Sequence, residues 1–248
     1  SPDSAEFGLR LKRLYIDPKE IPLSPGARLS LNPYSSSYLV RVLRLQAGNS
    51  LLCFDGLGQE YRAQLAIADS RSTELLLGPL SRSLSTPAPR LVLLIALIKH
   101  RIEAAVQQAT ELGATHITVV NADRSQARLP RPERIENVIR HAAEQCGRVW
   151  LPELHIGGDL ESATNQCECD RKLIAIPKTD VTELSNDLKN TCVAIGPEGD
   201  WSPNELQLAR DAGFKEVGLG PIILRSSTAA AAALSSIRQK WRWEVPQV

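Results

Sequence analysis

The chain of 248 residues lacks several patterns that mark common protein classes. Its longest apolar run, Leu91 to Ile98, is far shorter than a membrane-spanning helix requires. The first residues contain no apolar core of the kind that a secretory signal peptide needs. The formal net charge is only +1, whereas proteins that coat nucleic acid carry a larger positive excess, so any RNA contact must depend on a local basic patch.

Motifs for metal, redox and hydrolytic chemistry are also missing. None of the five cysteines stands in a CxxC pair, and the four histidines are scattered along the chain. Neither a zinc site nor a catalytic triad is therefore indicated, and we predict no metal. We interpret the cysteines as reduced thiols that mostly pack in the interior, and a redox role for Cys167 and Cys169 is the weaker alternative.

The glycine patterns of nucleotide-binding proteins are incomplete. Gly218 and Gly220 are followed by Ile223 where the dinucleotide fingerprint requires a third glycine, and no phosphate-binding loop is present. An NAD-dependent oxidoreductase is therefore disfavoured. A nucleoside held by backbone amides and apolar walls is still compatible with the sequence, because adenine with a sulfonium side chain needs no phosphate cradle.

The first third of the chain has the pattern of a small β domain. Methionine is absent, and residues 1–9 are predicted to be a processed leader or an expression remnant. Over residues 10–80, short alternating apolar runs predict a β-barrel-like domain, with a hairpin turn at Asp55-Gly56 and one short helix from Ser36 to Leu45. Residues 81–90 have the composition of a linker.

Strands alternate with helices in the remaining part, residues 91–248. This order predicts an α/β domain with a mostly parallel sheet covered on both faces. Leu91–Leu97 suits a strand that is buried on both sides, and Thr182–Leu188 is predicted to form a short helix. Ser202 and Glu205 predict a capping box at the start of a longer helix.

Two glycine-bearing turns follow strands of this predicted sheet, Gly196-Pro-Glu-Gly199 and Gly218-Leu-Gly-Pro221. Ligands of open α/β sheets bind at the carboxyl ends of the strands, so we expect the turns to lie side by side and to enclose a pocket. Their glycines would let the backbone approach a ligand closely. Taken alone, the first turn is somewhat more typical of a plain strand-to-helix connection, and it is the pairing of the two turns that favours a pocket.

Basic residues concentrate in two places that could form the local RNA patch. The first group is Arg10, Lys12, Arg13, Arg41 and Arg44, and the second is Arg124, Arg128, Arg131 and Arg134. Either group would contact phosphates without reading the base sequence. A solvated charged face is an equally valid interpretation of each group.

Several segments together resemble those of a known family. In chain order they are Val40-Arg-Val-Leu-Arg-Leu45, Phe54-Asp-Gly56, Ala109-Thr-Glu-Leu-Gly113, Arg124-Ser125, Ala143-Glu-Gln-Cys-Gly-Arg148, Pro152-Glu153, Ile195-Gly-Pro-Glu-Gly199, Leu219-Gly-Pro-Ile-Ile-Leu-Arg225 and Thr228-Ala229. The chain resembles the RsmE family of 16S ribosomal RNA uridine N3-methyltransferases, which belong to the SPOUT class. The likeness extends from Arg10 over nearly the whole sequence.

The resemblance implies a fold and a cofactor that the spacing alone does not indicate. It implies a SPOUT-type trefoil-knotted parallel sheet over residues 91–248, preceded by a PUA-like β-barrel domain that helps to hold RNA. It also implies a homodimer and S-adenosyl-L-methionine as the cofactor. The residues expected to bind this cofactor are Ile195, Gly196, Pro197, Glu198, Gly199, Leu219, Gly220, Ile223, Leu224, Ser226 and Thr228.

The resemblance also implies roles in the reaction. Arg225 is expected to be the catalytic cation beside an activated uracil, and Glu198 is expected to be a second catalytic group. The family usually has Arg in place of Ile222 and Glu in place of Ser227. These differences leave a second hypothesis open, a non-catalytic RNA-binding protein that retains the SPOUT scaffold.

The expected partners are ribosomal RNA in the small ribosomal subunit and a second copy of the chain, with neither a membrane nor a metal. The residues predicted to contact RNA are Arg10, Arg13, Arg41, Arg44 and Arg124. The expected location is the cytoplasm, or the stroma or matrix of an organelle if the first residues are a processed leader.

Overall fold

The structure, a computed structural model, describes residues 10–177 and 179–242. The residues predicted to be a leader lie outside the described part. The chain divides into two compact units, one up to Thr86 together with Gly147–Trp150, and the other Pro87–Cys146 together with the chain from Leu151 onwards. The first unit thus includes the four residues Gly147–Trp150 from much later in the sequence. The predicted limits of 10–80, 81–90 and 91–248 placed these residues in the second domain.

The first unit is built on a curled five-stranded sheet with the order β1-β3-β4-β5-β2. β1 pairs with β3 in parallel, and the other neighbours are antiparallel. The strands and the helix are β1 (Arg13–Tyr15), β2 (Arg28–Ser30), α1 (Pro33–Ser37), β3 (Ser50–Phe54), β4 (Gln59–Ile67) and β5 (Glu74–Ser83). Alternate residues of β4 are buried, as expected for strands with one face on a core.

The predicted hairpin turn between β3 and β4 is confirmed. The Asp55 carboxylate accepts hydrogen bonds from the backbone N–H groups of Leu57 and Gln59, at 2.8 and 3.0 Å, and Gly56 has a φ of 71°. The predicted helix from Ser36 to Leu45 is present, but it starts at Pro33 and ends at Val42. It begins with α1, which Asn32 caps, and continues as a π-helical turn over Tyr38–Val42.

A buried ion-pair network holds the first unit together. Glu60, which is 1% exposed, accepts hydrogen bonds from Arg13 at 2.8 Å and from Arg82 at 2.9 and 3.0 Å. The same two arginines donate to the carbonyl oxygens of Arg148 and Gly147. Burial raises the pKa of Glu60, but the hydrogen bonds from Arg82 and Arg13 outweigh burial and hold this pKa below its ordinary value.

The second unit contains a six-stranded parallel sheet with the order β11-β9-β10-β6-β7-β8. The strands are β6 (Leu91–Ala96), β7 (His116–Asn121), β8 (Glu153–Asp159), β9 (Arg171–Ile176), β10 (Thr191–Ile195) and β11 (Lys215–Gly218). The helices are α2 (Ile102–Glu111), α3 (Pro132–Cys146), α4 (Leu160–Asn165), α5 (Pro203–Asp211) and α6 (Ser226–Lys240).

Helices cover both faces of this sheet, which confirms the predicted α/β arrangement. Alternate residues of each central strand enter one of two separate apolar clusters, so that Val193 and Ile195 of β10 face one side and Cys192 and Ala194 face the other. The first cluster includes residues of α2, α3 and α6, and the second includes residues of α4 and α5. The central strands are consequently buried on both faces.

Of two local predictions for the second unit, one is confirmed and the other is wrong. The capping box is confirmed, because Ser202 accepts from the Glu205 N–H and the Glu205 carboxylate accepts from the Ser202 N–H. The helix predicted over Thr182–Leu188 is wrong, since this segment has no regular structure. Thr182 instead donates its N–H to the Gly218 carbonyl, and its hydroxyl oxygen accepts from the Gly218 N–H. Two elements of this unit, β8 and α4, were not predicted.

None of the helices in the described part of the chain is both long and apolar enough to cross a membrane.

Candidate functional site

The second unit contains a cavity of about 530 Å³ at the carboxyl ends of its strands. This volume lies in the range of small-molecule sites, about 300–1,000 Å³. The chain segments that surround the cavity follow four strands, β6, β9, β10 and β11. They supply Ile98, His100, Arg101, Ala175, Ile176, Pro177, Ile195, Gly196, Pro197, Glu198, Asp200, Trp201, Leu219, Gly220, Ile222, Ile223, Leu224, Arg225, Ser226, Ser227 and Ala229.

The two glycine-bearing turns both reach this cavity, but they do not follow neighbouring strands. β9 lies between β10 and β11, so the end of β9 separates the turns that were expected side by side. Ala175, Ile176 and Pro177 at that end contribute to the wall. Strand order depends on pairing between segments that are distant in the sequence, so it could not be predicted from either turn alone.

In the first turn, the glycine at position 196 makes room for a neighbouring side chain. A Cβ atom at Gly196 would lie 3.2 Å from the Cδ1, Nε1 and backbone N atoms of Trp201. Trp201 is 4% exposed and lines the cavity. Its Nε1 atom has no hydrogen-bond partner among the described residues. An unpaired buried donor costs about 1–3 kcal/mol, so this N–H is suited to an acceptor on a ligand.

The glycine at position 199 accommodates an arginine. A Cβ atom at Gly199 would lie 3.2 Å from the Cβ atom of Arg124, whose Nη1 donates a 2.9 Å hydrogen bond to the Gly199 carbonyl. Gly199 itself is not among the residues that line the cavity. The side chain of Arg124 is therefore engaged with this turn, although it is exposed to solvent.

Glu198 connects the first turn to the segment after β6. Its Oε1 atom accepts a 2.9 Å hydrogen bond from the backbone N–H of Lys99. The next residue, His100, lies in the cavity wall, as does Glu198 itself. The observed contact gives the Glu198 carboxylate a positioning role, because it fixes one rim segment against another.

The second turn approaches the segment after β9 closely. A Cβ atom at Gly218 would lie 2.0 Å from the Asp180 carbonyl oxygen, so only glycine fits there. Gly220 has a φ of 125° and donates its N–H to the Thr179 carbonyl at 3.0 Å. These contacts fix the backbone that presents Leu219 and Gly220 to the cavity.

The start of α6 closes another side of the cavity. Ser226 donates a 2.7 Å hydrogen bond from its Oγ to the Gly196 carbonyl, and Ser227 is buried beside it. Arg225 is the residue immediately before α6. It is exposed at the rim of the cavity, so its guanidinium is available to a ligand. Thr228, by contrast, is exposed and is not a lining residue.

Sequence reasoning missed His100, Arg101 and Trp201 as cavity residues. Arg101 precedes α2 and has a φ of 69°, which is an uncommon conformation for a residue other than glycine. Arg101 and Arg225 together place two positive charges at the rim of the cavity. Trp201 lies two residues after Gly199 at the end of the first turn, and a bulky aromatic residue this close to two glycines was the available signal.

The arginines predicted to contact RNA have different surroundings. Arg13 is only 6% exposed, and its guanidinium contacts Glu60, the Arg148 carbonyl and the Phe54 ring. That placement does not support an RNA contact, because the charge is neutralised in the interior. Arg10, Arg41 and Arg44 are exposed in the first unit.

No group of three or more His, Cys, Asp or Glu residues that could hold a metal ion occurs within residues 10–177 and 179–242. The cavity walls combine apolar side chains such as Ile195 and Leu219 with an unpaired indole N–H and two arginines. Apolar walls suit an adenine ring, and an unpaired indole N–H suits a carboxylate. The residues present therefore fit an adenosyl amino acid.

Comparisons with known proteins agree with this geometry. The family model described as an RNA methyltransferase domain matches residues 85–238, and the one described as an RNA methyltransferase PUA domain matches residues 35–76. The fold and the site thus define an RNA methyltransferase with a PUA domain.

Individual relatives narrow the class. The Ribosomal RNA small subunit methyltransferase E of Synechocystis is 36% identical over 91% of this chain and 76% of its own length. The protein of the same name from Rickettsia conorii is 27% identical over 93% of this chain and 96% of its own. The chain belongs to the family of Ribosomal RNA small subunit methyltransferase E, the RsmE family.

Two solved structures are similar as well. A methyltransferase from Legionella pneumophila, in complex with the bound cofactor SAM, has a TM-score of 0.86 and 28% identity, and the match covers 93% of this chain and 98% of that one. Ribosomal RNA small subunit methyltransferase E from Neisseria gonorrhoeae, bound to S-adenosyl methionine, has a TM-score of 0.83 and 26% identity, over 94% and 98%. The expected SPOUT-type knotted α/β domain with a PUA-like domain is confirmed.

Proposed function

We propose that the protein transfers a methyl group from S-adenosyl-L-methionine to N3 of a uridine in 16S ribosomal RNA. The observation that carries this proposal is the cavity of about 530 Å³, which joins apolar walls, the unpaired Nε1 of Trp201 and the exposed Arg225 in one place. The family membership and the SAM-bound relatives support it. Nothing in the comparisons favours the alternative of a non-catalytic scaffold.

The residues proposed to surround the cofactor lie on both turns. Ile195, Gly196, Pro197, Glu198, Leu219, Gly220, Ile223, Leu224 and Ser226 line the cavity, whereas Gly199 and Thr228 do not. We assign Gly199 an indirect role, because its lack of a side chain allows Arg124 to bind the turn. Trp201 is added as a donor to the carboxylate of the cofactor.

The reaction requires the uracil to be an anion when it attacks. When bound, S-adenosylmethionine supplies an electrophilic methyl group on a sulfonium, and uracil N3 must lose its proton before its lone pair can form the new bond. Arg225 would stabilise the resulting negative charge on the base, while the fixed turns align N3 with the methyl group. The base must be drawn out of its RNA context, because N3 is hidden in a base pair.

Other parts of the proposal concern RNA and assembly. Arg10, Arg41 and Arg44, which are exposed in the first unit, would contact the phosphates of the RNA. Two copies would act as a homodimer, as the family resemblance implies. The proposed substrate requires a compartment with ribosomes of the bacterial type, which is the bacterial cytoplasm or the stroma or matrix of an organelle.

The proposal is tested by incubating the protein with methyl-labelled cofactor and small ribosomal subunits from cells that lack the modification. Nuclease digestion and mass spectrometry should then detect 3-methyluridine at one position. Free 16S RNA serves as the second substrate, to separate assembled subunit from naked RNA. Cofactor bound in a titration calorimeter without any methylated nucleoside would refute the assigned reaction, and no cofactor binding would favour the scaffold alternative.

Arg225→Ala separates binding from chemistry in the same assay. Removal of one group that stabilises charge in a transition state costs about 100- to 1,000-fold in rate. We expect a loss of that size with an unchanged Kd for the cofactor, and partial rescue by Arg225→Lys, which keeps the charge. Full methylation by Arg225→Ala would remove Arg225 from the catalytic role.

A further inference from the structure

Three of the five cysteines lie close together in the second unit. One of them, Cys192, is far along the sequence from Cys167 and Cys169, and no motif links it to them. Cys192 of β10 is 0% exposed and belongs to the apolar cluster on the α4 and α5 side of the sheet. Cys167 and Cys169 are partly buried and pack against that same cluster. All three cysteines line one cavity, and the Cys167 thiol interacts with the thiols of both Cys169 and Cys192.

The backbone explains why these thiols come together. The segment after α4 is held beside the start of β10, because the N–H groups of Asp170 and Arg171 both bind the Asn190 carbonyl at 3.0 Å. Cys169 immediately precedes this anchor, and Cys192 follows it by two residues along β10. The contact is therefore fixed by strand pairing as well as by the side chains.

The three thiols open onto a second cavity of about 290 Å³, which shares no lining residue with the first. His116, His155 and Arg90 also line it. Arg90 is exposed, and its ion pair with the exposed carboxylate of Glu168 is long, at 3.8 Å. The cavity thus offers a cation and imidazoles beside thiols, which suits a small anionic molecule that carries carboxylates.

We propose that Cys167 undergoes thiol–disulfide exchange with an anionic low-molecular-weight disulfide, such as oxidised glutathione, and that Cys192 then resolves the product into a Cys167–Cys192 disulfide. Cys167 and Cys169 are both partly exposed, but only Cys167 interacts with both other thiols, so Cys167 receives the small disulfide. Cys192 is enclosed, so it reacts only with a sulfur that is already beside it. This modification is independent of the proposed methyl transfer.

The two steps balance without any other reactant. The Cys167 thiolate attacks one sulfur of the small disulfide, forms a mixed disulfide and releases one small thiol. The sulfur of Cys192 then gives up its proton and attacks the sulfur of Cys167, and the second small thiol leaves. Two protein thiols lose two electrons and two protons, and the small disulfide gains them as two thiols.

The electrostatic surroundings agree with this division of roles. The hydrogen bond with Cys169 and the one with Cys192 lower the pKa of Cys167, which favours the thiolate. Its hydrogen bond with Cys167 and its burial raise the pKa of Cys192. Lys172, whose charge acts on both groups, favours the thiolate form of each.

Mass spectrometry of tryptic peptides tests the proposal on the intact protein. Cys167 and Cys169 lie in the peptide 149–171, Cys192 lies in 190–210 and the control thiol Cys146 lies in 141–148. After oxidised glutathione is added in increasing concentration, we expect peptides 149–171 and 190–210 to become linked before Cys146 is modified. Modification of Cys146 while Cys167 stays free would overturn the proposal, as would a bond between Cys167 and Cys169.

Variants check each step. In Cys192→Ser, glutathione should remain attached to the peptide 149–171, because no second thiol from β10 displaces it. Cys167→Ser should prevent the cross-link, and the matched control Cys146→Ser should leave it unchanged. A persistent cross-link in Cys167→Ser would contradict the assignment, and the titration of the unmodified protein decides the matter even if a variant folds poorly.

Discussion

The hydroxyl of Ser226 donates a 2.7 Å hydrogen bond to the carbonyl oxygen of Gly196, although the two residues are 30 positions apart. This bond fastens the start of α6 to the turn after β10. It explains how the rim residue Arg225 is kept beside the first glycine turn, since Arg225 directly precedes Ser226.

Ser226→Ala should therefore loosen the site as well as the fold. The variant leaves the carbonyl of Gly196 without this donor, and an unsatisfied buried acceptor costs about 1–3 kcal/mol. We expect a loss of unfolding free energy in that range together with weaker cofactor binding, measured by urea denaturation and calorimetry. Ser236→Ala is the matched control, because its hydroxyl binds the Ala232 carbonyl on the exposed side of the same helix. Equal effects of the two variants on cofactor affinity would contradict the assigned role.

Trp201→Phe should weaken cofactor binding with little effect on the packing around Gly196. The change removes the unpaired N–H but keeps an aromatic ring. A hydrogen bond to a charged group contributes about 1.5–3 kcal/mol, which corresponds to an increase in Kd of about 10- to 150-fold. The control is Trp150→Phe, which removes the 3.0 Å hydrogen bond from Trp150 to the Leu84 carbonyl in the first unit. An unaltered Kd in Trp201→Phe would show that this donor does not meet the cofactor.

Two substitutions at Glu198 distinguish a positioning role from a catalytic one. Glu198→Gln keeps an oxygen that can accept the Lys99 N–H, so we expect cofactor affinity and methylation to stay within a few-fold of the original. Glu198→Ala loses the bond and should lower affinity by about tenfold, as expected for about 1–1.5 kcal/mol. A glutamine variant that binds the cofactor normally but does not methylate RNA would instead support the predicted catalytic carboxylate.

The Glu60 network gives the first unit a pH dependence. The pKa of Glu60 is lower in the folded protein than the ordinary value of 4.5, so its stabilising effect is complete above that value and is lost as the pH falls below it. Removal of one partner of a buried ion pair destabilises proteins by about 3–5 kcal/mol. Glu60→Gln should thus be less stable at pH 7, and its stability should fall less than that of the original protein between pH 5 and pH 3. Chemical denaturation at several pH values measures both effects; parallel curves would contradict the network's role.

The sequence predicted those features of the fold that depend on residues close together in the chain. The capping box at Ser202 and Glu205 and the turn at Asp55 involve bonds within a few positions, and both are present. The helix predicted over Thr182–Leu188 failed because the backbone of Gly218, a distant residue, takes its hydrogen bonds.

Other features depend on the long-range order of the strands. The position of β9 between β10 and β11, and the meeting of Cys192 with Cys167, follow from pairings that no local pattern contains. The knot itself came from the family resemblance alone, because topological rules on chain crossings argue against it. Gly196 lines the cavity and Gly199 does not, and the absence of a side chain at these positions makes room for Trp201 and Arg124.

The four residues Gly147–Trp150 make the polypeptide pass between its two units three times, after Thr86, after Cys146 and after Trp150. A cut after Thr86, inside the predicted linker, would leave an N-terminal fragment in which Arg13 and Arg82 have lost two carbonyl acceptors, and a C-terminal fragment in which Trp150 has lost its acceptor. Dissection into two pieces would thus damage both. The intact polypeptide is the smallest reagent on which RNA affinity and cofactor affinity can be compared fairly.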